Sequence, residues 1–436
     1  MRVVRARNGS VFIIHDPWSL CKKNGGALRK NRKKSVAFPR VFMVKSLCAF
    51  TFRSTPDVYA FPRFFSAGRC GMLRVPEALM GDRTDLSNGG IKIMSVISKI
   101  ISFFMSLLLS VLGTTGVTFQ QKAKALRVVS YIIASNAGML AEIDESHFDD
   151  LTDIILIGDL AGFDTAGRVN LSGDFDEIIR IAREKIGSRP IRLHLNLNGP
   201  WATANGTFEE NMFAQGEEHR KAFESGALEE NIHSVLEQYD LDGVFFDYEF
   251  PVAQEHKDVF SKFLVSLKKV LGEDYVLGAA ESSWCAGLSK DAIRALDMVE
   301  VMCYDVWDEG TGIHSSFEIT RAIIMGMLKL GYKREQLDVG IPFYARPTTE
   351  EAIWYDYKEY YDKLDENGCA PDEAHGLIAS FNTPEVVYEK TEWTIKKGLG
   401  GVMIWHYACD VPADNDASLF NAVAKAKAEM ASRGLC

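Results

Sequence analysis

The stretch from Leu241 to Pro251 reads LDGVFFDYEFP, a short apolar run that ends in carboxylates. Asp242-Gly243 reads as a turn, and Val244, Phe245 and Phe246 are strong strand formers. Side chains alternate along a strand. Phe245, Asp247 and Glu249 therefore share one face, while Val244, Phe246, Tyr248 and Phe250 share the other. Residues two apart on one face lie roughly 6.5–7 Å apart at their Cα atoms, close enough to act on one small group. Two carboxylates at the end of an apolar strand resist ionising together, because each is poorly solvated and repels the other. Acid catalysis uses such a pair: one carboxyl keeps its proton while its neighbour orients a group or stabilises charge. A strand that simply runs out into solvent would carry the same two acids, so the neighbouring strands decide.

From Leu126 onward strands alternate with helices, the pattern of a parallel α/β fold. The expected strands are Arg127–Ile133, Asp153–Ile157, Ile191–Leu197, Gly243–Phe250, Tyr275–Ala280, Met298–Cys303, Asp338–Phe343 and Gly401–Trp405. Helices are expected over Phe175–Lys185, Glu209–Tyr239, Glu255–Leu271, Lys290–Leu296, Phe317–Leu330 and Pro384–Lys397. Eight strands with helices between them predict a (β/α)8 TIM barrel over residues 124–432, with its site at the C-terminal strand ends. No Gly-rich phosphate loop follows a strand, which disfavours a dinucleotide-binding sheet. Polar and aromatic residues collect at most of the other strand ends. Tyr131 and Asn136 mark the first, Asn196, Asn198 and Gly199 the third, and Glu281 the fifth. Tyr304 and Asp305 follow the sixth, Tyr344 and Arg346 the seventh, and Trp405 ends the eighth. A strand that merely met solvent would not require its neighbours to do the same.

With these residues in place, the chain resembles the family 18 glycoside hydrolases, the chitinases and related endo-β-N-acetylglucosaminidases. The family's D-G-x-D-x-D-x-E reads here Asp242-Gly243-Val244-Phe245-Phe246-Asp247-Tyr248-Glu249. Its M-x-Y-[DN] is matched by Met302-Cys303-Tyr304-Asp305, and its G-x-P-x-Y-x-R by Gly340-Ile341-Pro342-Phe343-Tyr344-Ala345-Arg346. Its G-G-x-M-x-W is matched by Gly400-Gly401-Val402-Met403-Ile404-Trp405, and its S-x-G-G is only faintly echoed by Asn196-Leu197-Asn198-Gly199. The resemblance implies retaining hydrolysis of β-1,4-linked N-acetylglucosamine, in which the substrate's own acetamido group is the nucleophile. It implies Glu249 as general acid, Asp247 as the group that orients the acetamido, and Tyr304 as a hydrogen-bond donor to its oxygen. Trp405 would floor the sugar subsite, because a flat indole matches the C–H face of a pyranose; Asp305, Tyr344, Arg346, Tyr131 and Met302 complete the expected substrate-binding set. Neither a metal nor another cofactor is implied. The expected partner is an N-acetylglucosamine-containing polysaccharide or oligosaccharide.

Two departures stand out. Phe245 occupies the position of the first Asp in the family's D-x-D-x-E run, so Asp247 lacks a close like-charged neighbour there. A carbohydrate-binding protein without turnover is the alternative, with Phe245 in its favour and Glu249 against it. The segment between Arg346 and Gly401 is too short for the full α+β insertion that some members carry, so a shallower, open groove is expected. It carries Trp354, Tyr355, Tyr357, Tyr360 and Tyr361, which read at helical spacing as core, with sugar-stacking platforms as the other reading.

The whole chain has 436 residues, 47% of them hydrophobic, a net charge of −10 and a strongly basic beginning. This balance argues against a nucleic-acid partner. Residues 1–93 show no sustained period and read as a disordered leader or as translation from upstream of the natural start. Met94 opens a segment to 118 in which Lys99 precedes an apolar run to Leu112, the layout of a signal peptide. A membrane anchor and a buried helix are its alternatives, and membrane contact is expected only through 96–112 if it stays uncleaved. On the first two readings the barrel is secreted, or anchored outside the cytoplasm. The eight cysteines show no C-x-x-C pair and no His partner at metal spacing, so neither a zinc site nor a dense disulfide framework is expected. Cys285, Cys303 and Cys409, in or beside strands, read as buried free thiols.

Overall fold

The computed structural model describes residues 2–5, 11–14, 126–200, 207–249, 253–282, 287–349 and 351–435. The chain divides into two units, Met1–Ser35 with Ala123–Cys436, and Val36–Lys122; the second lies wholly outside the described residues. The expected signal or anchor segment 94–118, most of the leader, and Cys285 fall outside them too. Arg2–Arg5 and Val11–Ile14 pair antiparallel. No helix among the described residues is long and apolar enough to cross a membrane.

Eight strands close a parallel barrel: β1 Arg127–Ile133, β2 Asp153–Ile157, β3 Arg192–Asn196, β4 Gly243–Phe246, β5 Val276–Glu281, β6 Met298–Val301, β7 Leu337–Pro342 and β8 Gly401–Trp405. They neighbour one another in chain order, and β8 pairs with β1 to close the ring. The expected bounds hold for β1, β2 and β8 and shift by a residue or two for β3, β5, β6 and β7. β4 is shorter than the expected Gly243–Phe250, because its ladder ends at Phe246. Asp242-Gly243 is not a turn. The Asp242 carboxylate accepts the Leu193 N–H at 2.7 Å, and a Cβ on Gly243 would lie 2.3 Å from the Val276 carbonyl oxygen. The glycine is needed because two strands approach there.

The helices α1 Ala137–Ala141, α2 Phe175–Ile186, α3 Phe208–Phe223, α4 Leu228–Gln238, α5 Gln254–Leu271, α6 Lys290–Ala295, α7 Phe317–Leu330, α8 Pro384–Lys397 and α9 Leu419–Ser432 connect the strands and follow β8. The bounds of α7 and α8 match expectation because their ends are chemically marked. Ser316 and Thr383 cap the N-termini, Pro384 fills the first turn of α8, and left-handed Gly331 and Gly398 end them. The single helix expected over Glu209–Tyr239 is two, broken at Ser225-Gly226, where Gly226 takes φ 70°. The insert after β7 is a four-stranded antiparallel sheet of Tyr344–Pro347, Tyr355–Asp356, Cys369–Asp372 and Leu377–Ser380. The helical spacing read for its aromatics is therefore wrong. Tyr355 and Tyr357 are nonetheless buried, with Trp354, Tyr360 and Tyr361 packed against the core.

Toward the N-terminal strand ends the barrel interior is charged. Arg127 bridges to Asp338 at 2.8 Å, while Arg192 and His194 reach Asp153 at 2.7 and 2.8 Å. Burial, then the neighbouring Asp338, pushes the Glu300 carboxyl well up, so it sits beside that aspartate as a neutral acid. Above this layer Phe245 lies fully buried, with its ring centroid 5.1 Å from that of His194 and its edge over Gly278, its register partner on β5. A Cβ on Gly278 would lie 2.1 Å from the Phe245 ring. The phenyl ring occupies space that only a glycine leaves open.

Candidate active site

The expected alternation persists beyond the end of the β4 ladder. Phe246 and Tyr248 face the outer helices: Phe246 meets Phe260 and Phe263, and Tyr248 meets Phe223 and Phe260. Phe245, Asp247 and Glu249 are left on the inner side. Past Phe246 a side chain replaces the backbone partner, since the Asp247 N–H donates to Asn196 Oδ1 at 2.9 Å. Asn196 Nδ2 in turn donates to Asn198 Oδ1, and Asn198 Nδ2 to the Gly158 carbonyl. The third-strand asparagines thus hold the backbone that aims the carboxylates.

Asp247 Oδ1 and the Tyr131 hydroxyl are both buried without a hydrogen-bond partner among the described residues. Buried polar atoms are seldom left so, and orphans in a cleft mark places where a ligand or water completes the bonding. Burial pushes the Asp247 carboxyl up to about 6. Burial, then the charges of Asp247 and Asp305, pushes Glu249 well above the ordinary glutamate range. Across neutral pH the pair therefore holds one proton, on Glu249, and one charge, on Asp247. That is the division of roles acid catalysis needs.

Tyr304 is buried within the field of Asp247 and Glu249, its ring centroid 6.0 Å from that of Tyr344. Asp305 takes φ 56°, a left-handed conformation that asparagine and aspartate tolerate best. This accounts for Asp or Asn in the M-x-Y-[DN] pattern. Its side chain is locked by three hydrogen bonds from two residues: Arg346 Nε and Nη2 donate to it at 2.8 and 3.1 Å, and the Tyr344 hydroxyl at 2.7 Å. Its N–H donates to His314 Nε2 at 2.9 Å. Trp405 is half-buried, edge-on to Tyr131 at 5.2 Å between centroids. Trp354 stacks flat on Tyr344 at 3.6 Å, with His406 5.8 Å away between ring centroids, so one of its faces is taken up by Tyr344.

The structure thus brings together Tyr131, Asp247, Glu249, Tyr304, Asp305, Tyr344, Arg346 and Trp405. Met302 is buried at the same end, its N–H donating to the Glu281 carbonyl. Glu281 does not join the site. Inward-facing Gly278 places it on the helix side of β5, where burial pushes its carboxyl up to about 8 and Lys257 of α5 opposes the shift. Asn136 caps α1 by accepting the Met139 N–H. His314 supports the site and was not singled out, since a lone histidine carries no spacing signal; Trp354, read as core or as a sugar platform, supports it by stacking on Tyr344. Cys303 and Cys409 are buried free thiols, as expected.

A closed parallel barrel with a carboxylate pair and aromatic walls at its C-terminal strand ends places the candidate site where (β/α)8 barrels carry theirs. The chain belongs to the glycosyl hydrolases family 18, whose family model matches residues 130–410. It is 28% identical over 245 residues to the probable chitinase 2 of Drosophila melanogaster, covering 42% of this chain and 51% of that protein. It is 20% identical over 229 residues to endochitinase 1 of Metarhizium robertsii, covering 41% and 54%. The chain spans about half the length of these curated relatives. Among solved structures, a chitinase from the chitin utilization locus of Flavobacterium johnsoniae superimposes with a TM-score of 0.55 at 22% identity, covering 70% of this chain and 95% of that one. The Group IV chitinase of Ostrinia furnacalis, solved with allosamidin, gives 0.53 at 18% identity over 71% and 99%. These likenesses show the fold.

Proposed function

We propose that this protein hydrolyses β-1,4-linked N-acetylglucosamine glycans, chitin or chitooligosaccharides first among them, with retention and with the substrate's acetamido group as nucleophile. Glu249 gives its proton to the glycosidic oxygen as the bond to C1 breaks. The acetamido carbonyl oxygen closes on C1, and Asp247 Oδ1 accepts the acetamido N–H and stabilises the resulting oxazolinium cation. Tyr304 donates to the acetamido oxygen and Trp405 floors the ring. Water then attacks C1, Glu249 takes its proton, and the acetamido group is released. Asp305, held by Arg346 and Tyr344, supports the wall that meets the sugar hydroxyls, with Tyr131 and Met302 lining the same end. The observation that carries this reading is the buried Asp247 Oδ1, unpartnered among the described residues, on the same inner side as Glu249, whose carboxyl is pushed well up by burial and the charges of Asp247 and Asp305.

The non-hydrolytic alternative rests on the carboxyl missing at Phe245; the presence of Glu249, the general acid, argues against it, and the ring itself is accommodated over Gly278. A secreted barrel, or one anchored outside the cytoplasm through 96–112, suits a polymeric extracellular substrate. The test is fluorophore release from a chitobiose or chitotriose conjugate by the wild type and Glu249→Gln. Wild-type release that falls by roughly 10²–10⁴-fold in the variant supports the assignment. Silence of both proteins with oligosaccharide binding intact would transfer the protein to the binding class.

A further inference from the structure

Three side chains that no catalytic step above employs come together beside the end of β8. Cys409, fully buried, closes the 3-10 turn Tyr407–Cys409. His406 directly follows Trp405, and Asp356 comes from the insert strand Tyr355–Asp356. Cys409 Sγ lies 3.3 Å from His406 Nε2 and 3.4 Å from Asp356 Oδ1, and the three ligand atoms all lie within 4.8 Å of one another.

We propose that Asp356, His406 and Cys409 form a binding site for a divalent transition metal of the zinc class, joining the insert to the end of β8. The expectation that no cysteine has a histidine at metal spacing overlooked His406-Tyr407-Ala408-Cys409, and the fold brings in Asp356 as the third ligand. The distances fit. Tetrahedral zinc with bonds of roughly 2.0–2.3 Å sets neighbouring ligand atoms about 3.4–3.6 Å apart, close to the two separations from Sγ. One nitrogen, one sulfur and one oxygen donor suit zinc rather than calcium or magnesium, which take oxygen. Asp356 and His406 are half-exposed, so a solvent molecule completes a fourth position. With the His406 ring proton on Nδ1, which is buried and unpartnered, Nε2 turns its lone pair to the site.

Metal binding breaks the Cys409 S–H bond, releases that proton to solvent and forms a metal–thiolate bond with no change of oxidation state. Thiolate and carboxylate together neutralise a divalent ion. Lys358, 3.8 Å from Asp356 Oδ2 and donating to the Ala408 carbonyl, adds positive charge and moderates affinity. The metal would also reach the substrate wall. Asp356 Oδ1 accepts the Trp354 indole N–H at 2.5 Å, and Trp354 stacks on the Tyr344 that holds Asp305.

The probes are zinc and cobalt(II) ions added to chelator-stripped protein, followed by calorimetry, cobalt absorbance and thermal unfolding. This test does not depend on hydrolysis. The wild type is expected to bind one zinc per chain, to show a sulfur-to-cobalt charge-transfer band, and to unfold at higher temperature when loaded. Cys409→Ser should abolish the band. Asp356→Asn, at a half-exposed position that tolerates a near-isosteric change, should weaken zinc binding by roughly tenfold or more and lose the thermal shift. Absence of zinc binding by the wild type overturns the proposal. So does a cobalt spectrum without the sulfur band, or binding equally tight in both variants, which would place the metal on other residues.

Discussion

Replacing Gly278 with alanine tests how the barrel accommodates a phenyl ring at position 245. The new methyl carbon would lie 2.1, 2.3 and 2.5 Å from Cε1, Cδ1 and Cζ of Phe245. Carbon atoms rest about 3.5–4.0 Å apart, so the ring must retreat by more than about 1 Å. It has little room to do so, with His194 on one side and a fully packed strand face around it. Overpacking of this kind costs about 1–3 kcal/mol, and the rigid backbone on both strands favours the upper half of that range. Phe245→Ala alone leaves a cavity and costs about 3–5 kcal/mol. In that background the Gly278→Ala methyl enters empty space, so its cost should vanish or become a small gain. The cycle should therefore show a coupling of about 2 kcal/mol or more. Urea unfolding of the four proteins, followed by circular dichroism and tryptophan fluorescence, measures it. A Gly278→Ala variant within about 0.5 kcal/mol of wild type, or the same cost in both backgrounds, would refute the packing argument.

The pH dependence of kcat/KM should rise as Asp247 ionises near 6 and fall only where Glu249 loses its proton, well above the ordinary carboxyl range. Asp247→Asn should cut activity by roughly 10²-fold or more and move the alkaline limb to lower pH, because burial remains but one of the two charges opposing Glu249 ionisation is gone; an alkaline limb that moves up would contradict this. Glu249→Gln should match wild-type thermal stability in acid and exceed it in alkali. A carboxyl whose folded pKa is raised contributes stability below its unfolded value and loses it as pH rises through the folded one, a loss that glutamine cannot suffer; a constant difference in melting temperature across pH would sink this linkage. Arg346→Ala should destabilise by about 3–5 kcal/mol, since it strips the bidentate partner from Asp305 at a 2% exposed position; a urea midpoint unchanged from wild type would show that the pair holds nothing.

What the sequence discloses follows from the range of the forces involved. The bounds of β1, β2 and β8 were legible because strands buried on both faces read as apolar runs between turns. Those of α7 and α8 were legible because capping is local: Ser316, Thr383-Pro384 and the closing glycines lie within a turn of the ends they fix. The helix break at Gly226 was missed because a periodic pattern on either side outweighed one flexible residue. The insert was misread because tyrosines at 357, 360 and 361 mimic a helix, while Tyr357 opens a 3-10 turn and Tyr360 and Tyr361 lie in the turn after it, between short strands. The helix α9, past the last motif, and the hairpin of Ala161–Phe163 with Val169–Leu171 carry weak periodic signals. In the site, Asp247 and Glu249 could be placed on one face by strand alternation alone. What depends on residues distant in sequence could not be read: the Arg127–Asp338 pair, the Asn196 side chain that replaces a ladder partner, the His314 bond to Asp305, and Gly278 opposite Phe245.

The central claim is that the substrate's acetamido oxygen, not water, makes the first attack on C1, with Glu249 supplying the proton. The most direct measurement is proton NMR of a chitooligosaccharide during the first minutes of hydrolysis, recording which anomer appears before mutarotation. Two displacements predict the β-anomer first, with no signal from Glu249→Gln. An α-anomer first, or undiminished turnover by that variant, would contradict the account.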